Sequence, residues 1–122
     1  MKIYFGHSRN FDYKNELYRP VRESRLDKEH EIIFPHEHDD QPFNSKESLR
    51  TCNLMIAEAS FPATGLGIEI GWADFLELPL LAIHRRGSHL SGSVRAMAVK
   101  ILQYSGEEEM INGLTKLIAD YK

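Results

Sequence analysis

A chain of 122 residues, 42% of them hydrophobic, is long enough to bury one core and too short for a second domain of ordinary size, so one domain over residues 1–122 is expected. A formal net charge of −3 without a basic stripe or tail excludes an electrostatic case for nucleic acid or an anionic membrane. The single cysteine, Cys52, excludes an internal disulfide, no apolar window approaches the ~18 residues of a membrane helix, and Met1 to Gly6 is too short an apolar run for a signal peptide, so a reducing cytoplasm is the expected compartment.

Apolar runs alternate with amphipathic stretches at the rhythm of βα units. Lys2 to Gly6 reads as the first strand. Asp12 to Lys28 carries Tyr13, Leu17, Val21 and Leu26 at near-helical spacing amid charges and reads as a helix, followed by a second strand from Glu31 to Pro35. His36 to Asn44 is rich in turn formers. Ser45 to Thr51 reads as a short helix capped by Asn44 or Ser45, Asn53 to Ala57 as the third strand, and Gly67 to Leu78 as a helix stopped by Pro79. Leu80 to His84 is the fourth strand, Ser91 to Met97 a short helix, Val99 to Gln103 the fifth strand, and Glu107 to Tyr121 a helix with acids in its first turn.

Strands separated by helices require right-handed crossovers, which produce a mainly parallel sheet covered on both faces. The expected fold is therefore α/β: five mainly parallel strands in a flavodoxin-like or Rossmann-like three-layer sandwich. An α+β domain with an antiparallel edge is the alternative.

The stretch from Ala57 to Ala73 is the most informative. A buried apolar strand is halted by Pro62, Gly65 and Gly67 permit close backbone approach to a ligand, and Glu69 then falls in or near the first turn of a helix. In an open parallel sheet, ligands bind at this carboxyl edge. Proximity to a helix N-terminus favours an ionised carboxylate by roughly 0.3–1 kcal/mol, which suits a nucleophile better than a general acid. A glutamate here also serves a plainer end, complementing the helix dipole.

These segments resemble the nucleoside 2-deoxyribosyltransferase superfamily, and within it the small 2′-deoxynucleoside 5′-monophosphate N-hydrolases, over nearly the whole chain. The run Ala57-Glu58 through Gly65-x-Gly67-x-Glu69-x-Gly71-x-Ala73 matches that family's strand, glycine turn and nucleophilic glutamate. Tyr4 and Ser8 sit as the N-hydrolase tyrosine and phosphate-binding serine do, and Leu90-Ser91 with Arg95 is similar to a motif whose serine reaches a neighbouring subunit's site. The resemblance implies hydrolysis of an N-glycosidic bond, or deoxyribosyl transfer, on a nucleoside or its 5′-monophosphate. Glu69 would be the nucleophile of a covalent glycosyl-enzyme, with retention at C1′ and no cofactor. Tyr4, Gly6, His7, Ser8, Arg9, Thr64, Gly65, Gly67 and Ser91 would bind substrate, and the assembly would be a homodimer or larger.

Two positions depart from the family pattern. Ala63 stands where N-hydrolases have a phosphate-binding serine and transferases an aspartate, and Ser45 stands where both have an aspartate. The acids nearest Ser45 are Asp39, Asp40 and Glu47. These departures favour the alternative of a non-catalytic nucleotide-binding or sensor domain of the same fold. His36-Glu37-His38-Asp39-Asp40 has a metal-ligand pattern, but a solvated loop or a lid over the base is the favoured reading, and no metal is expected. Trp72 reads as packing its helix on the sheet, Cys52 as a small core residue, Ser91 and Ser93 as possible helix caps, and Arg85 and Arg86 as a solvated turn.

Overall fold

Five strands form one sheet in the order β2-β1-β3-β4-β5 in the computed structural model, which describes residues 1–39 and 41–121. They are β1 (Lys2–His7), β2 (Glu31–Ile33), β3 (Leu54–Glu58), β4 (Leu80–Arg85) and β5 (Lys100–Tyr104), and every neighbouring pair runs parallel. This is the flavodoxin-like order, and the antiparallel-edge alternative falls. Side chains alternate across the sheet as the period of a strand dictates. Ile3, Phe5, Leu54, Ile56, Leu81 and Ile83 face one core, and Tyr4, Met55, Ala57 and Leu80 the other.

The helices are α1 (Arg19–Arg22), α2 (Arg25–Glu29), α3 (Ser45–Arg50), α4 (Thr64–Phe75), α5 (Gly92–Met97) and α6 (Glu107–Tyr121). Leu17, Val21, Leu26, Met110, Leu114 and Ile118 close the first core, whereas Leu49, Leu66, Ile70 and Ala73 close the second. No helix among the described residues is long and apolar enough to cross a membrane.

Two helices differ from the sequence expectation. The stretch from Asp12 to Lys28 is broken rather than continuous. Lys14–Tyr18 is a π-helical turn leading into α1, and Pro20 has no N–H for the ladder; Ser24 then leaves helical geometry and caps α2, its Oγ accepting from Leu26 N at 3.2 Å. The second departure is α4, which starts three residues before Gly67 and ends before Leu78. Ala63 is extended, so helical geometry begins at Thr64 and takes in Gly65 and Gly67. At the other end Glu77 adopts φ 59°, and the N–H groups of Glu77 and Leu78 donate to the carbonyls of Asp74 and Ala73, a Schellman closure that stops the helix ahead of Pro79.

Arg86 is exposed, as a solvated turn requires, whereas Arg85 is partly buried, and both are held by ion pairs. The Arg85 guanidinium lies 5.2 and 5.1 Å from the Phe11 and Phe61 ring centres and pairs with Glu16 at 2.9 Å, and Arg86 pairs with Glu109 at 2.6 Å. Cys52 packs as expected: its Sγ donates to the Ser48 carbonyl at 3.2 Å, and burial pushes the thiol pKa up, away from nucleophilic chemistry.

Candidate active site

Because β1 is flanked by β2 on one side and β3 on the other, the connections leaving β1 and β3 depart to opposite sides, and a crevice opens at their carboxyl ends. The cleft there has a volume of about 390 Å³. His7, Ser8, Arg9 and Asn10 line it from the end of β1, and His36 and Phe43 from the loop after β2. Ser45 enters from the start of α3, and Ala63, Gly65, Leu66, Ile68, Glu69 and Trp72 from α4 and its approach.

Glu69 is the sixth residue of α4, in its second turn. The two hydroxyls that reach it come from distant parts of the chain: Tyr4 in the middle of β1 donates to Oε2 at 2.5 Å, and Ser45 donates to the same oxygen. Tyr4 and Ser45 are also 2.9 Å apart. Each hydroxyl has a single proton, so when Glu69 is ionised both protons point at Oε2 and the Tyr4–Ser45 contact carries none. Among the described residues no donor reaches Oε1.

Gly6 explains how α4 comes this close to β1. A Cβ on Gly6 would stand 2.6 Å from Met55 Cε, 3.1 Å from Leu66 Cδ1 and 3.2 Å from Glu69 Oε1, so the carboxylate occupies space that any other residue would fill. The expected electrostatics of Glu69 are corrected in turn. Lying beyond the first turn of α4, it is not held ionised by the helix terminus; burial raises its pKa, and the hydrogen bonds from Ser45 and then Tyr4 pull it back. Ser45→Ala and Tyr4→Phe are each expected to raise it further, Ser45→Ala the more. The Glu69 Cδ titration followed by carbon NMR checks this, and unchanged midpoints would show that the hydroxyls do not hold the charge.

His7 is neutral and oriented. A carbonyl only accepts, so the 2.8 Å contact with the Ser8 carbonyl places the ring proton on Nδ1, and Nε2 then accepts from the Tyr18 hydroxyl at 2.6 Å. Burial first, and the nearby His36 and Arg9, bring its pKa down to about 4. The Tyr18 hydroxyl in turn accepts from the backbone N–H of His36 at 3.2 Å, joining the loop after β1 to the loop after β2. Ser8 is buried, and its Oγ accepts from Asn10 N at 2.9 Å.

The residues singled out in the sequence fall into two groups. Glu69, His7, Ser8, Arg9 and Gly65 line the cleft, with Tyr4 and Gly6 directly against Glu69. Thr64 is exposed and outside the lining. Gly67 and Ser91 lie on a separate apolar groove between α4 and α5, where Ser91 Oγ caps α5 by accepting from Val94 N at 3.3 Å. Asp39 accepts from Gln41 N and Glu47 pairs with Arg50, both away from the cleft, while Asp40 lies outside the described residues. His38 is exposed whereas His36 turns to the cleft, and no three metal-ligating side chains converge among the described residues. Trp72 packs against the second core, as expected, and lines the cleft as well. Asn10, Phe43 and Ile68 escaped the sequence reading; Asn10 and Ile68 had a usable signal, adjacency to Arg9 and to Glu69, whereas Phe43 had none.

No protein-family profile matches the chain, and no curated protein matches it by sequence. Solved structures do. The CMP N-glycosidase BcmB of Clostridium botulinum is similar at a TM-score of 0.68 and 17% identity, over 94% of this chain and 99% of that one. A conserved protein from Enterococcus faecalis V583 is similar at a TM-score of 0.70 and 17% identity, over 95% and 98%. The 2-deoxyribosyltransferase of Bacillus psychrosaccharolyticus is similar at a TM-score of 0.66 and 14% identity, over 90% of both chains. The chain therefore shares the fold of an N-glycosidase and of a 2-deoxyribosyltransferase.

Proposed function

We propose that the protein cleaves the N-glycosidic bond of a nucleoside or nucleoside 5′-monophosphate, passing the sugar to water or to a second base, with Glu69 as nucleophile. The observation that carries this reading is the Glu69 carboxylate at the switch-point cleft, the single one among the described lining residues, held on Oε2 by two hydroxyls and with no described donor on Oε1. Breaking the bond to the base develops positive charge at C1′, and in this reading Oε1, which accepts no hydrogen bond from the described residues, is the oxygen that captures it. Support comes also from the fold neighbours, one named for cleaving CMP and another for transferring 2-deoxyribosyl groups. A 5′-phosphate would meet Arg9 and the backbone N–H groups that open α4, since Ala63 offers only a methyl group there.

The test is chromatographic detection of free base from a panel of ribo- and deoxyribonucleosides and their 5′-monophosphates. Release, with retained configuration at C1′ by proton NMR, supports the reading. A protein that releases no base while nucleotide still raises its melting temperature is a binding domain instead. We propose further that the chain works as a homodimer, the assembly in which Ser91, which does not line its own cleft, can approach another. Sedimentation as a monomer at high micromolar concentration would remove Ser91 from the substrate-binding set.

A further inference from the structure

Departure of a base needs a proton as well as a nucleophile, and Glu69 is the single carboxylate among the described residues lining the cleft. We propose that His36 supplies that proton, acting as general acid to the leaving base; the inference rests on the N-glycosidase reading above.

The other polar side chains described at the cleft are set aside on their contacts or their acidity. The Tyr4 and Ser45 hydroxyls are spent on Glu69 Oε2. His7 gives its one proton to the Ser8 carbonyl and takes another hydrogen bond at Nε2 from Tyr18, so it has none to pass on. A guanidinium such as that of Arg9 does not release a proton near neutrality, and the Asn10 amide is not an acid. The exposed acids Asp39 and Glu47 do not line the cleft.

His36 does line it, and the fold fixes its place. It follows β2 at the carboxyl edge of the sheet, its backbone N–H donates to the Tyr18 hydroxyl, and its ring stands edge-on to His7 at 6.0 Å and near Tyr13 at 6.2 Å. The next residue, Glu37, is gripped by two parallel bonds from Arg22, each 2.7 Å, which anchors the loop at this point. Phe43 and Trp72 line the same cleft and offer apolar surface to a flat base. Imidazole is also the side chain whose ordinary pKa makes both protonation states accessible near neutrality.

In the first step Glu69 Oε1 forms a bond to C1′ as the C1′–N bond breaks; its electron pair passes to the base, which takes the proton of the His36 imidazolium. In the second step the neutral imidazole accepts a proton from water. The water oxygen bonds to C1′, and the bond to Glu69 breaks with its pair returning to the carboxylate. Both groups end as they began.

The experiment is a comparison of His36→Gln with the native protein on the best-cleaved substrate and on an analogue with less need of the proton: the N7-methylated base if the substrate is a purine, the 5-fluorinated base if it is a pyrimidine. On the parent base kcat should fall about 10²–10⁴-fold with KM little changed, and on the analogue less than about tenfold. Equal losses on both bases would make His36 a binding residue and overturn the proposal, as would no loss on either. The analogue doubles as the control for folding. Failure of the function itself is separately visible, because the native protein would then release no base from any substrate, and the proton donor would fall with it.

Discussion

Glu69→Gln is expected to reduce base release on the order of 10⁴-fold or more, the scale seen when a covalent nucleophile is removed. The amide keeps an oxygen to accept from Tyr4 and Ser45, so the cleft is expected to retain its shape and nucleotide binding. Loss of turnover with binding retained is the signature of a missing nucleophile; turnover within tenfold of native, a threshold of about 1.4 kcal/mol in barrier, would exclude Glu69 from the chemistry.

The same substitution carries a signed prediction for stability. Burial raises the Glu69 pKa in the folded state above its unfolded value. Between those two values the folded protein holds a proton that the unfolded chain has lost, so stability falls as pH rises through the window and stays lowered above it. Glu69→Gln removes the titration. Its melting temperature should equal or exceed that of the native protein at neutral pH, and the native protein's decline across the window should be missing. A marked destabilisation at neutral pH would mean that the hydroxyl pair outweighs the burial of the charge.

The strands were legible because buried β-branched and apolar runs bounded by turns have few other solutions. The start of α4 was not, because two glycines seven and nine residues past the end of β3 read as a turn. A glycine inside a helix costs about 1 kcal/mol relative to alanine, yet the start at Thr64 brings Leu66 into the helix beside Ile70 and Ala73 on the face buried against the sheet. That shift also moved Glu69 out of the first turn and reversed the reading of its charge. Its candidacy was visible from local spacing. Its partners were not: Ser45 is 24 residues away and Tyr4 65, and both contacts depend on how α3 and α4 pack over β1. Ser45 looked like a loss, an acid replaced by a hydroxyl, and in three dimensions it is a hydrogen-bond donor to the carboxylate. The loop after β2 was legible only as a pattern of residue types; its anchorage through Tyr18 and Arg22 comes from elements whose helical register Pro20 disrupts.

Tyr104→Phe is expected to destabilise the fold by about 1–3 kcal/mol, the cost of leaving a buried acceptor short of a partner. The acceptor is Glu58 at the end of β3, whose side chain is fully buried. Ser60 N donates to Oε1 at 2.7 Å, Ser60 Oγ to Oε2 at 2.9 Å, and the Tyr104 hydroxyl, from the end of β5, also to Oε2. Arg85 N on β4 donates to Ser60 Oγ at 2.8 Å, so one carboxylate ties together the carboxyl ends of three neighbouring strands. The resulting drop in melting temperature should be roughly 3–5 °C for each kcal/mol in a chain of this size. Glu58→Gln removes the charge and turns one of the two accepting oxygens into a donor, so Tyr104→Phe should cost less in that background, and the difference from the native background is the coupling of phenol to carboxylate. An equal cost in both backgrounds would assign the loss to packing around the ring. Base release per folded molecule should survive, because neither residue lines the cleft. Glu58 and Glu69 thus differ by environment: Glu58, enclosed and supplied with donors on both oxygens, fixes the strand end from which the helix departs, and Glu69, with one oxygen undonated among the described residues, is the one proposed to react.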